Sequence, residues 1–344
     1  MYMDSKDFAS QLKEFLTEWN NPSDYITVCT SGSTGRPKEI RLDKNFMRAS
    51  ARRSNTHFNI TSKSRLHLCL PVSHIAGKMM VVRALEAGCR LTAEPPSSTP
   101  SFKGCGRHLT LVAIVGSQIK GLYDLSLKRE LPNITHVLIG GSPLTQEQHS
   151  MALELGKSVW ESYGMTETSS HIALRRLMYH NISIPTPFHT LPKIKVHCND
   201  LGCLVVDMPE APQIVTNDIA TIISKREFLI HGRYDNVLIS GGLKVHPETV
   251  EHIIGPLFID MGDFYVTSRP HPKWGEEIVV VVEAPDRLPT GVTQAEIAFT
   301  DRAGHDMMAW MRDLLQRHEV PHAVIAVRKL ERTSNGKIVR KKLT

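Results

Sequence analysis

The sequence predicts an α/β protein built as a large N-terminal α/β domain, residues 1–232, followed by a small C-terminal α+β domain, residues 233–344. Three observations predict it. Over the first two-thirds, apolar runs of strand length alternate with stretches of helical periodicity, the rhythm of a sheet with helices on its faces. After about residue 230 the texture changes at a polar joint, Gly232-Arg233-Tyr234-Asp235-Asn236, beyond which strands and helices are shorter and mixed. Finally, 344 residues with 41% hydrophobic and 22% charged side chains are enough for two cores of unequal size.

Phe8, Leu12, Phe15, Leu16 and Trp19 recur at helical spacing and predict a short amphipathic helix on the body of the fold. Residues 25–30 (YITVCT) read as a strand entering a Gly/Ser/Thr loop. Residues 66–70 form a second strand, followed by a loop over 71–77 and a helix over 78–87. Further strands are expected at 111–115, 136–139 and 158–162, with functional loops gathered at their carboxyl ends. The Pro- and Ser-rich stretch 95–101 is a loop. In the second domain the pattern predicts a helix over 247–254, a strand over 277–283, a helix near 305–318 and a strand over 324–328.

Bulk properties narrow the function. A net charge of +6 suits anionic small-molecule substrates. The basic run from Lys337 to Lys342 lacks aromatic interleaving, so no nucleic-acid partner is expected. No apolar stretch approaches the ~18–20 residues of a membrane span, and the N-terminus lacks the pattern of a signal peptide. Six scattered cysteines with mostly apolar flanks read as reduced core thiols, so a cytoplasmic protein is expected. His197, Cys198 and Cys203 have no second ligand pair to complete a metal site.

Two segments carry chemistry. In Thr30-Ser31-Gly32-Ser33-Thr34-Gly35-Arg36-Pro37-Lys38, two glycines free the backbone to approach a ligand, four hydroxyls add donors, and Lys38 complements negative charge. Together they suit a polyphosphate cradle, without the Gly-x4-Gly-Lys spacing of a P-loop. Alone, the segment is also compatible with a solvated Ser/Gly loop. In Ser162-Tyr163-Gly164-Met165-Thr166-Glu167-Thr168, Tyr163 offers a flat face for a nucleobase, Thr166 a hydroxyl, and Glu167 a hard oxygen ligand for Mg²⁺. Alone, this segment reads first as a turn bearing a surface glutamate.

These two runs, with Gly232-Arg233-Tyr234-Asp235, Gly241-Gly242 and Ser334-Asn335-Gly336-Lys337, fall in one order along residues 30 to 337. In that order they resemble the acyl-adenylate-forming (ANL) superfamily of acyl-CoA synthetases, peptide-synthetase adenylation domains and luciferases. The resemblance implies ATP, Mg²⁺ and CoA as cofactors and co-substrate. It implies that Thr30 to Lys38 close over the β- and γ-phosphates, that Gly140 and Gly141 line the adenine and acyl pockets, and that Tyr163 packs on adenine. Thr166 would bind the α-phosphate and Glu167 the metal. Asp218, in Thr216-Asn217-Asp218, would accept the ribose hydroxyls with Arg233 beside it; Asn217 departs from the family's glycine. Asp235 corresponds to the hinge of the small domain. Lys337 would join the carboxylate and the α-phosphate, two anions whose repulsion a lysine offsets. After rotation about the hinge, Gly241 and Gly242 would line the pantetheine tunnel of CoA.

The acid is read from fewer residues. His74, in Pro71-Val72-Ser73-His74, matches the family's substrate-gating segment, and Arg83 follows in an apolar helical stretch. Its guanidinium either meets an anion, snorkels outward, or pairs with Glu86 at i+3. An anion there implies an acid with a second carboxylate. The run from Ser162 through His171 to Ala173 is similar to o-succinylbenzoate–CoA ligases, with His171 a further polar contact. The function expected is therefore an ATP-dependent acid–CoA ligase, with o-succinylbenzoate as the acid. Alternatives are another aryl or fatty acid, transfer to a carrier-protein thiol, or a nucleotide-binding protein without catalysis. Only 29 residues precede Thr30, a truncated start relative to most of the superfamily. A partner copy covering the surface left open would make a homo-oligomer.

Overall fold

The computed structural model describes residues 5–30, 38–178, 186–300, 305–332 and 338–343. Its main sheet has eleven strands. In spatial order they are Lys195–Cys198, Cys203–Met208, Ala211–Ser224, Glu227–Arg233, Phe188–Thr190, His171–Arg176, Ser158–Gly164, Asn133–Gly140, His108–Val115, Arg65–Leu68 and Arg90–Ala93. The last five of these pair in parallel, whereas Ser158–Gly164 meets His171–Arg176 antiparallel. Buried Leu109, Val112, Ile114, Val137, Ile139 and Val159 put a continuous apolar layer on the parallel half, packed by Ile119, Leu122 and Ala152 from the helices Ile119–Leu127 and Gln146–Glu154. Strand carboxyl ends gather functional loops in such a sheet.

The expected strands at 66–70, 111–115, 136–139 and 158–162 are present as Arg65–Leu68, His108–Val115, Asn133–Gly140 and Ser158–Gly164. The amphipathic N-terminal helix is Ser5–Asn20, with Phe8, Phe15 and Trp19 buried. The helix Ile75–Ala87 starts three residues before the expected 78, because His74 takes the N-cap position and Gly77 presses on the loop before it. A Cβ at Gly77 would lie 2.1 Å from the Pro71 carbonyl oxygen. Left-handed Gly88 closes the helix, its N–H on the carbonyls of Ala84 and Leu85. Residues from Gly77 to Ala84 are buried all round, so apolar periodicity does not mark the helix start. The antiparallel half of the sheet carries few helix-flanked apolar runs and was not predicted strand by strand.

The chain divides into two compact units: 1–197 with 205–215 and 222–229, and 198–204 with 216–221 and 230–344. The second unit has a four-stranded sheet in the order Phe264–His271, Gly275–Glu283, Ala323–Val327, Gln294–Ile297. Val250, Ile254, Phe258, Val280, Val282 and Met311 are among its core residues. Helix Pro247–Ile254 appears as expected, and the helix expected near 305–318 is Met307–Leu314. No helix among the described residues is long and apolar enough to cross a membrane.

Candidate active site

In the first unit, strands Tyr25–Thr30 and Lys38–Asp43 form an antiparallel hairpin with Thr30 opposite Lys38. Ser31, Gly32, Ser33, Thr34 and Gly35 lie outside the described residues, as do the side chains of Thr30 and Lys38. The expected phosphate cradle therefore has a placed base and an undescribed tip.

Strand Asn133–Gly140 delivers Gly140 and Gly141 to its carboxyl end. A Cβ at Gly140 would sit 2.9 Å from the Ser162 Oγ, which donates to the Ile139 carbonyl at 2.9 Å. Gly141 has φ +103°, a conformation that side chains disfavour. The neighbouring strand Ser158–Gly164 carries Tyr163, whose ring packs against Phe228 (5.3 Å) and Phe188 (5.7 Å). Gly164 passes so close to the next strand that a Cβ would lie 2.4 Å from the Ser170 carbonyl oxygen.

The turn that follows is fixed from within. Thr168 Oγ1 accepts the Met165 N–H at 2.9 Å and lies 2.6 Å from the Ser170 carbonyl, while the Ser169 N–H reaches the Thr166 carbonyl. Thr168 and Ser169 are buried, which leaves Thr166 half-buried and Glu167 exposed at the tip. A hydroxyl and a carboxylate are thus held on a rigid turn.

Arg83 and His171 are brought together. Arg83 is 2% exposed, and its Nε donates to Ser54 Oγ at 2.9 Å. Nη2 donates to Ser170 Oγ at 2.6 Å and to His171 Nδ1 at 3.3 Å; Nη1 lies 3.5 Å from Met80 Sδ. Every one of these partners is neutral. Glu86 does not pair with Arg83; it takes Arg48 at 2.7 Å and Arg52 at 2.8 Å. Snorkelling is excluded as well, since the guanidinium is inside. Burial lowers the Arg83 pKa to about 10, and burial, then Arg83 and His57, hold His171 well below the usual imidazole range. A neutral His171 accepting at Nδ1 carries its proton on Nε2, which is buried without a partner among the described residues. Asn55 donates to the Arg83 carbonyl at 3.0 Å and, among the described residues, its own Oδ1 has no partner. His74, nine residues before Arg83 at the start of the same helix, is exposed and lies 3.0 Å from Ser73 Oγ through Nδ1.

In the second unit, Thr216, Asn217 and Asp218 lie within the long strand Ala211–Ser224. Arg233 stands 3.5 Å from Asp218 and 3.5 Å from Asp235, so these three are neighbours. Asp235 occupies a single 3₁₀ turn, Tyr234–Asn236. Gly241 and Gly242, with φ +57° and +83°, join strands Leu238–Ser240 and Leu243–Val245 in a two-residue turn that requires positive φ at both positions. Lys337 lies outside the described residues. The chain on either side of it is anchored: Arg332 bridges to Ile338, and Arg340 pairs with the half-buried Glu251, which also accepts the Val266 N–H.

Sequence reasoning missed Ser54 and Ser170 around Arg83. Ser170 adjoins His171 in the run that points to the acid, but Ser54 reaches Arg83 across 29 residues and left no local signal.

The AMP-binding enzyme family matches residues 3–215, more than half the chain and inclusive of the hairpin base, the Tyr163 strand and the Thr166–Glu167 turn. A 2-succinylbenzoate–CoA ligase of Listeria monocytogenes is 24% identical over 349 residues, covering 96% of this chain and 72% of that protein. Among solved structures, an acyl-CoA synthetase (AMP-forming)/AMP-acid ligase II-like protein from Dyadobacter fermentans has 27% identity and a TM-score of 0.60, covering 96% of this chain and 92% of its own. The o-succinylbenzoate CoA synthetase of Bacillus subtilis, in complex with its acyl-adenylate intermediate, superposes with a TM-score of 0.72 at 22% identity, over 91% of this chain and 67% of its own. A strand end set with close-packed glycines, a rigid Thr–Glu turn beside it and an extended match from residue 3 agree on one assignment: the chain belongs to the AMP-binding enzyme family.

Proposed function

We propose that the protein is an AMP-forming acid–CoA ligase whose acid carries a second anionic group, with o-succinylbenzoate as that acid. The observation that carries the reading is Arg83. A guanidinium removed from water costs several kcal/mol unless an opposite charge and good hydrogen bonds offset it. Arg83 has the hydrogen bonds but, among the described residues, no carboxylate partner. A substrate carboxylate would supply the missing charge, and the buried Nε2–H of His171 would supply a second donor. The relatives named 2-succinylbenzoate–CoA ligase, at 22–24% identity, support the same acid.

In this reading the large domain is 1–232 and the mobile small domain 233–344. Thr30, Ser31, Gly32, Ser33, Thr34, Gly35 and Lys38 hold the polyphosphate, Tyr163 and Gly141 the adenine, and Asp218 with Arg233 the ribose. Glu167 and the Thr166 hydroxyl are hard oxygen donors of the kind Mg²⁺ takes, and the ion would neutralise phosphate charge. His74, Gly140, Arg83 and His171 line the acid. Lys337 steadies the two anions as the carboxylate oxygen attacks the α-phosphorus and pyrophosphate leaves. In the second step the CoA thiolate attacks the acyl carbon and AMP leaves, with Gly241 and Gly242 beside the pantetheine.

The test is pyrophosphate and thioester formation across o-succinylbenzoate, benzoate, 4-phenyl-4-oxobutanoate and a medium-chain fatty acid, each with and without CoA. CoA-dependent turnover confined to o-succinylbenzoate is expected. Equal turnover of 4-phenyl-4-oxobutanoate would remove the second-carboxylate reading, and pyrophosphate release without thioester would point to a carrier-protein thiol.

A further inference from the structure

The hinge turn is tied at both of its ends. Asn217 Nδ2 donates to Asp235 Oδ2 at 2.8 Å, and Arg233 lies 3.5 Å from the same carboxylate oxygen. One residue on, Asn236 Nδ2 donates to Glu248 Oε1 at 2.5 Å. Glu248 stands at the start of helix Pro247–Ile254, and Arg340, on the chain that follows Lys337, approaches the same Oε1 at 3.9 Å. Before the turn, Gly232 has φ +150° and leaves no room for a side chain, since a Cβ would lie 2.3 Å from Glu248 Oε2. Glu248 therefore holds residue 236 and closes in on residue 232, while Asn217 holds residue 235.

These two ties differ in kind. Glu248 holds Asn236, which lies on its own side of Asp235, and can travel with it. Asn217 sits in strand Ala211–Ser224, eighteen residues earlier, and its amide holds a carboxylate whose own backbone dihedrals are the ones a hinge must change. With the small domain beginning at 233, as in the ligase reading, strand Ala211–Ser224 stays with the large domain; rotation at Asp235 then swings that carboxylate away from its partner, and the Asn217–Asp235 bond must break. A glycine at 217, as in the family the sequence resembles, has no side chain with which to make it.

We propose that Asn217 is a latch on the hinge: it stabilises the turn in the arrangement seen here and so sets the balance between the two half-reactions. This rests on the ligase reading above, with Asp235 as the hinge. Asn217 is a positioning residue, acting through Asp235 and touching no reacting atom. A single hydrogen bond to an exposed carboxylate is on the order of 3- to 10-fold in such a balance.

The experiment compares the full chain with Asn217→Ala, Asn217→Asp, and the swap Asn217→Asp with Asp235→Asn. The swap keeps one amide and one carboxylate at this distance with donor and acceptor exchanged. Hydrogen–deuterium exchange is followed over residues 232–240, together with two rates: pyrophosphate release from ATP and o-succinylbenzoate, and thioester formation from supplied acyl-adenylate and CoA. Asn217→Ala should speed exchange across the turn about 3- to 10-fold, and change the ratio of the two rates by a similar factor. Asn217→Asp, with two carboxylates in contact, should move both readouts further the same way, and the swap should return them toward the unaltered chain. Unchanged exchange over 232–240 would overturn the latch. Faster exchange with an unchanged ratio of rates would overturn its part in the reaction. If the unaltered chain makes neither product, the ligase reading fails, and the exchange measurement still decides whether the latch exists.

Discussion

Arg83 shows how a single residue separates alternatives that spacing leaves open. Sequence allowed it a place outside, a pairing with Glu86, or a place inside; the structure buries it and gives Glu86 to Arg48 and Arg52. Its neutral shell of Ser54, Ser170 and His171 solvates a charge without cancelling it. Replacing it by Met, close in length and uncharged, should lower kcat/KM for o-succinylbenzoate at least about 30-fold, the ~2 kcal/mol lower end for truncating a buried charge pair. The monoacid 4-phenyl-4-oxobutanoate should lose less than about 3-fold on the same scale. Equal losses on the two acids would make Arg83 a structural residue.

At the scale of elements, two connections lend themselves to measurement. The turn between Leu238–Ser240 and Leu243–Val245 needs left-handed backbone at Gly241 and Gly242. A Cβ there costs about 1–2 kcal/mol per residue. Gly242→Ala meets no atom within 4 Å, so its cost is conformational alone, and a denaturant melt should show a loss in that range. No loss would mean the turn relaxes to another type. The loop after strand Arg90–Ala93 is pinned by Glu94. That carboxylate accepts from the Ser101 and Phe102 backbone N–H groups and the Ser101 hydroxyl, and meets His67 Nε2 at 2.8 Å. Burial alone would raise its pKa, but the hydrogen bonds from His67, Ser101 and Phe102 outweigh burial and hold it down to about 2. A carboxyl depressed on folding stabilises fully above its unfolded value of ~4.5 and loses that contribution as pH falls toward about 2. Urea melts at pH 6, 4 and 3 should therefore show stability falling with pH, and Glu94→Gln should flatten that slope. A parallel slope in the variant would place the acid sensitivity elsewhere.

On the scale of the whole molecule, the proposed two-step chemistry assigns separate duties to residues in the two compact units. Lys337→Ala should reduce pyrophosphate release by 100-fold or more, on the order of removing one transition-state charge contact, while thioester formation from supplied acyl-adenylate stays within about 3-fold. Parallel loss of both steps would contradict the assignment of Lys337 to the first step alone. The anchors that flank it, Arg332–Ile338 and Arg340–Glu251, fix where the chain enters and leaves that segment. Part of the candidate site was legible beforehand because its motifs are local. Tyr163, Thr166 and Glu167 occupy one strand end and turn. Ser54, Asn217 and Glu248 were not legible in these roles, since each meets its partner across 12 to 29 residues.

By itself the sequence determined the alternation of strands and helices in the parallel half and the order of motifs that identifies the family. These are properties of short windows: apolar period, turn residues and glycine where backbone must bend or crowd. Tertiary structure alone decided that the helix carrying Arg83 is buried all round, that Thr216-Asn217-Asp218 lies within a strand, and that Asn217 reaches Asp235. Each of these depends on which surfaces meet, and burial of a charge or capture of a carboxylate is a free energy of contact between segments that no single window contains.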